Sequence, residues 1–199
     1  MMSWRLAPQT VFGQRQTDQM KTYIALFRGI NVGGKRVLPM KELVAILEDL
    51  GARNIKTYIQ SGNAVFTTRE KDPSRLAKRI GAEIKQRRGF EPQVLLLELK
   101  EFEHAMQKNP FPEAEANPSA LHVSFLVSTP AKPNLQALES LKKPSERFQL
   151  SGTVFYLHAP EGVGRSKLVA NAEKLLGVSM TDRNWRTVCA LCEMARALR

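Results

Sequence analysis

The residues of this chain best suited to chemistry fall in one run, Arg28-Gly29-Ile30-Asn31-Val32-Gly33-Gly34-Lys35-Arg36. Three cations share it with three glycines. Glycine reaches backbone conformations that leave N–H groups free to face a ligand, and such groups beside Arg and Lys attract anions. Gly29-x4-Gly34-Lys35 matches most of a phosphate-binding P-loop. Two features oppose a nucleotide hydrolase. Arg36 stands where a Ser or Thr hydroxyl would hold Mg²⁺. Pro39 opens the next helix about four residues beyond Lys35, whereas a P-loop lysine lies in the first helical turn. What remains is an anion cradle of backbone N–H groups with Arg28, Lys35 and Arg36 around it.

Other segments carry weaker signals. Ser61-Gly62-Asn63 is expected to sit beside the glycine-rich turn and present hydrogen-bonding groups to it. Ser61 is not in a nucleophile elbow and has no evident His partner, so its plain role is a turn. Glu161-Gly162-Val163-Gly164-Arg165-Ser166-Lys167 opens a helix, and a helix N-terminus with Arg165 and Lys167 attracts anions. The competing reading is an ordinary helix start capped by Ser166. Cys189-x-x-Cys192 has redox or zinc spacing, but it lies in mid-helix with no second pair and no nearby His, and reads as core packing. His104, His122 and His158 form no metal spacing. No metal is expected, any cofactor is left open, and no nucleophile with its base marks the chain as an enzyme.

The elements that must position these residues follow from periodicity. Thr22–Phe27 reads as a strand before the turn. Pro39 at the first helical position, then Met40, Leu43, Val44, Leu47 and Leu50 with Gly51 as stop, spell a helix. Ile55–Ile59 and Ala64–Thr67 form a hairpin. Asp72-Pro73 opens a helix that buries Leu76, Ile80 and Ile84 and shows Arg75, Lys78, Arg79, Lys85, Arg87 and Arg88 on its other face. Gln93–Leu99 is a strand, and Lys100–Asn117 a short helix followed by a linker. The second half repeats the order: strand Leu121–Val127, helix Leu135–Leu141, hairpin Arg147–Leu150 with Val154–His158, helix Arg165–Leu176, short strand Val178–Thr181, and an extra closing helix Asn184–Leu198. The expected fold class is therefore α+β, two ferredoxin-like βαββαβ subdomains in tandem plus a C-terminal helix. Residues 1–19 read as a flexible N-terminal extension, residues 20–108 as the first subdomain and residues 109–199 as the second.

Composition bounds the partners. The chain has 199 residues, 43% hydrophobic and 25% charged, an ordinary globular balance. Its net charge is +11, and residues 21–108, with 17 basic and 10 acidic side chains, hold most of the excess. Such a charge suits an anionic small molecule or nucleic acid, or serves solubility alone. An RNA-recognition module shares the element order, but the strand around Ala64-Val65-Phe66 lacks its interleaved aromatics. No run approaches the roughly 20 apolar residues of a membrane helix, so no membrane partner is expected. The N-terminus lacks a secretory apolar core, which points to the cytoplasm. Oligomeric state is not readable.

Four ordered motifs carry a resemblance. Ala25-Leu26-Phe27-Arg28-Gly29-Ile30-Asn31-Val32-Gly33-Gly34-Lys35, Tyr58-Ile59-Gln60-Ser61-Gly62-Asn63, Gly164-Arg165-Ser166-Lys167-Leu168 and Arg183-Asn184-Trp185-Arg186-Thr187-Val188 resemble the signature of an uncharacterised bacterial family, domain of unknown function 1697. The resemblance spans Met20 to the C-terminus and implies two ferredoxin-like subdomains, with no established activity, substrate or catalytic residue. Asp182 and Arg186 depart from the family pattern, where Thr and Asn are expected. The expected ligand site combines Arg28, Gly29, Asn31, Gly33, Gly34, Lys35, Ser61, Gly62 and Asn63, joined by Arg165, Lys167, Asn184 and Trp185. Arg and Lys would neutralise an anion, and Asn and Ser would orient it. The other readings are a nucleic-acid module using the basic helix Pro73–Arg88 and a protein-interaction domain with an open sheet face.

Overall fold

A computed structural model describes residues 20–199, and the expected N-terminal extension lies outside the described residues. The first half runs β1 (Lys21–Arg28), α1 (Met40–Asp49), β2 (Arg53–Thr57), β3 (Asn63–Thr68), α2 (Pro73–Arg88), β4 (Gln93–Glu98), α3 (Leu99–Gln107). A 3₁₀ turn, Pro112–Ala116, leads to β5 (Leu121–Leu126), α4 (Leu135–Leu141), β6 (Arg147–Ser151), β7 (Val154–His158), α5 (Lys167–Leu176), β8 (Met180–Asn184) and α6 (Trp185–Arg196). The sheets order β2-β3-β1-β4 and β6-β7-β5-β8, with every neighbouring pair antiparallel. That order is the ferredoxin-like arrangement expected from the sequence, made twice.

The halves are more alike than their sequences suggest. α6 is not an extra helix, because α3 is its counterpart. Each follows the last strand of its half without a loop. Glu98 caps α3 in a reciprocal capping box with Glu101, and Asn184 caps α6 by accepting from Thr187 N–H. The strand registers agree too. Phe27 pairs with Val94 and Leu126 with Met180, each the same distance before its cap. Glycine caps in left-handed geometry end α2 at Gly89 and α5 at Gly177.

α3 and α6 lie between the two sheets, and their contacts make one core shared by both halves. Ile24, Leu26 and Val65 meet it from the first sheet, and Val123, Phe125 and Tyr156 from the second. Phe102 stacks on Phe125 at 5.0 Å between ring centroids. The buried Tyr156 hydroxyl donates to Ala105 O at 2.7 Å. The opposite face of β1, with Tyr23, Ala25 and Phe27, packs on α1 and α2. α4 and α5 cover the outer face of the second sheet through Leu138, Leu168, Ala172 and Leu176. Helices therefore cover both faces of each sheet, and among the described residues neither sheet has the open face expected of an interaction domain. Lys21–Arg28 reads as a nearly continuous apolar run because it is buried on both sides.

Several boundaries differ from expectation: β2 is Arg53–Thr57 rather than Ile55–Ile59, α5 begins at Lys167 rather than Arg165, and α6 is Trp185–Arg196 rather than Asn184–Leu198. Pro39, with φ −60° and ψ 138°, is the extended N-cap of α1 rather than its first helical residue. The last strand is Met180–Asn184, not Val178–Thr181. Gly177 turns the chain at φ 70°, and Ser179 accepts from Val127 N–H before pairing of β8 with β5 begins.

Candidate binding cleft between the halves

The glycine-rich run is a finger, not a cradle. Lys35 N–H donates to Val32 O at 3.1 Å, and Asn31 N–H to Arg36 O at 3.2 Å. Between them Gly33 (φ 58°) and Gly34 (φ 72°) form a two-residue hairpin turn that requires positive φ at both positions. Concave anion sites of backbone N–H groups arise where φ changes sign between neighbours, so this tip does not form one. Gly33, Gly34, Lys35 and Arg36 are exposed.

Asn31 fixes the base of the finger. Its Nδ2 donates to Leu38 O and Gln60 O, both at 2.9 Å, and its Oδ1 accepts from Leu38 N–H at 2.8 Å. The Ser61–Asn63 segment thus lies beside the turn, as the sequence suggests. Gly62 has φ 73°, and a Cβ there would meet Phe27 Cβ at 2.8 Å and Ile30 at 2.9 Å, so no other residue fits. Asn63 is fully buried and donates to Ser61 Oγ at 3.0 Å and Tyr58 O at 3.3 Å.

Arg183 joins the halves at this point. Its Nη2 donates to Phe27 O at 2.9 Å, Gly62 O at 3.0 Å and Ser61 O at 3.3 Å, and its Nε to Asn63 Oδ1 at 2.5 Å. Burial pushes its pKa down to about 10, which still leaves a cation at neutral pH. Its Nη1 donates to Asp182 O at 2.6 Å, so all three nitrogens are bonded to the protein and Arg183 is a clamp rather than a free charge.

Next to it, Arg28, Ile30, Ser61, Val169, Glu173 and the β8 residues Met180–Arg183 line a cleft of about 550 Å³. Arg28 Nη2 donates to Glu173 Oε2 at 2.5 Å. Thr181 faces this cleft, is 2% exposed, and its hydroxyl has no partner among the described residues. Buried hydroxyls are rarely left so, because lost hydration is not replaced. Asp182, also in the cleft lining, accepts from Ser124 Oγ at 2.8 Å and contacts His122 Nδ1 at 2.8 Å. His122 Nε2 faces Ser119 O at 3.2 Å. Both ring nitrogens thus face acceptors. Burial lowers the His122 pKa, but the hydrogen bond and charge of Asp182 outweigh it and the net shift is upward. With its second nitrogen on a carbonyl and the carboxylate in the middle, this trio cannot activate a serine.

The duplication supplies an internal comparison. In the matching register of the first half, Val127 stands for Arg28, Leu95 for Thr181, Leu97 for Arg183 and Gly81 for Val169. The corresponding groove is about 290 Å³, and Val127 and Leu95 line it together with Lys78 and Glu91. The copy that carries Arg28 and Thr181 is the larger of the two.

The expected site residues therefore separate. Arg28, Gly29, Asn31 and Ser61 line the cleft, with Gly62 and Asn63 just beneath. Gly33, Gly34 and Lys35 belong to the finger. Asn184 is a helix cap, and Trp185 is buried in the shared core. Arg165 and Lys167 are exposed at the start of α5, outside the cleft lining, where Ser166 caps the helix. On α2, Arg75, Lys85, Arg87 and Arg88 are ion-paired, and Lys78 and Arg79 form no ion pair with the described residues. Sequence reasoning missed Glu173, Thr181, Asp182 and Arg183 as cleft residues. The signal was the polar run Thr181–Asn184, where a terminal strand was needed.

The fold and site define a protein of two fused ferredoxin-like halves with a cleft at their joint that holds Arg28, Thr181 and Glu173. The chain belongs to the family described as protein of unknown function, DUF1697, whose model matches residues 20–156. A solved structure, that of the conserved bacterial protein SP0830 from Streptococcus pneumoniae, is similar at 28% identity and a TM-score of 0.64, covering 89% of this chain and 99% of that one. No curated protein matches. Among the described residues, no helix is long and apolar enough to cross a membrane.

Proposed function

We propose that the chain binds a small anionic molecule in the cleft between its halves. The observation that carries this is the unpartnered Thr181 hydroxyl, buried in the cleft wall within the same lining as Arg28. A ligand with an anionic group for Arg28 and an acceptor for Thr181 would complete both. The groove at the matching position of the other half has Val127 and Leu95 in place of these two groups, which supports a role for them here beyond holding the fold. The cleft offers charge and hydrogen bonds but no nucleophile paired with a base, so the reading is binding rather than turnover. The expected anion site at the glycine run thus moves from the finger tip to the finger base.

Amide NMR of the full chain tests this with a panel of small carboxylates and phosphates. Saturable shifts at Arg28, Met180 and Thr181, lost in Arg28→Ala and weakened in Thr181→Val, are expected. Shifts confined to the finger or to α2 would contradict the site.

A further inference from the structure

Glu173 already occupies the position that an incoming anion needs, and its contacts describe that anion. Its Oε2 accepts from Arg28 Nη2 at 2.5 Å and its Oε1 from Met180 N–H at 2.7 Å. One planar carboxylate therefore bridges a guanidinium from the first half and an amide from the second. The pair is half open to water, with side-chain exposures of 42% for Arg28 and 33% for Glu173. Contacts of that kind are weakly held. The corresponding residue of α2, Lys85, pairs with Glu91 inside its own half.

Resting on the reading of the cleft as an anion site, we propose that its ligand is a monocarboxylate with a short apolar body, whose carboxylate displaces that of Glu173 from Arg28 and Met180 N–H. Glu173 itself meets both donors with its two oxygens, and a ligand carboxylate that did the same would keep a lone pair for the Thr181 hydroxyl. Asp182 lines the same cleft, so a second negative charge would meet repulsion. Phe27, Ile30, Val169 and Met180 supply hydrocarbon for the ligand body. Glu173 is then a competitor built into the protein. It lowers the apparent affinity by keeping Arg28 occupied, and sets a concentration below which the cleft stays closed by its own side chain.

Calorimetric titration of the full chain with butyrate and with butyl phosphate tests this on wild type, Glu173→Ala and Glu173→Gln. Glu173→Gln keeps an oxygen for Met180 N–H and guards against a fold defect in the alanine variant. Butyrate is expected to bind wild type more tightly than butyl phosphate, and both variants about fivefold or more above wild type, from the lost competition and the removed negative charge. Butyrate affinity equal or lower in both variants overturns the competition. A preference for butyl phosphate overturns the carboxylate assignment and leaves the anion site standing. Absence of binding by either probe to all three proteins overturns both readings.

Discussion

At the residue scale, Arg183 matters most for holding the cleft. Its guanidinium satisfies three backbone carbonyls and Asn63 in a buried joint. We expect Arg183→Ala to lower the unfolding free energy by about 3 kcal/mol, because the carbonyls lose their donors, and Arg183→Lys to recover little of it, since an ammonium lacks the planar fork. Urea denaturation measures both. Ile59 gives the opposite case. It is β-branched, sits at φ 48° and is 56% exposed, so it pays strain with little packing in return. Ile59→Gly should stabilise the fold or leave it unchanged within about 1 kcal/mol, and a loss beyond that would show that the side chain packs in solution. His122 sets a pH dependence. Its folded pKa lies above the unfolded value near 6.5, so its contribution to stability is complete below that value and is lost as pH rises through the folded pKa. Thermal melts across this window should show a fall with rising pH that His122→Gln removes.

At the element scale, legibility followed how each segment is buried. α2 could be read entirely: Asp72 accepts from Ser74 and Arg75 N–H, Leu76, Ile80 and Ile84 face inward, and Gly89 stops it. Asp72→Ala should cost about 1 kcal/mol, seen as a lower melting temperature, through loss of that cap. β8 could not be read. Met180-Thr181-Asp182-Arg183-Asn184 is an edge strand whose side chains serve the cleft and a polar trio with His122 and Ser124, so it lacks the alternation that marks strands. The finger misled for a different reason. Gly33-Gly34 fits both a phosphate loop and a hairpin turn, and only the signs of φ separate them. Of the four signature segments, the first two and Arg183 of the last line or brace the cleft, whereas Arg165 and Lys167 lie outside its lining and Asn31, Asn63 and Asn184 are spent on the fold itself.

At the scale of the whole molecule, the two halves are bound through α3 and α6 into one core. Neither sheet would cover its inner face alone. A single calorimetric transition is therefore expected, and a separately produced fragment of residues 20–108 should fail to fold cooperatively; independent melting of the fragment would contradict the shared core. The joint is also where duplication produced a difference. Arg28, Thr181 and Arg183 stand where the matching position has Val127, Leu95 and Leu97, and the cleft they occupy is the larger of the two.

Native mass spectrometry of the purified full chain tests that cleft most directly. Wild type should retain a small anion of defined mass that is absent from Arg28→Ala and reduced in Thr181→Val, with all three proteins equally folded. The same anion retained to the same extent by Arg28→Ala would contradict the assignment.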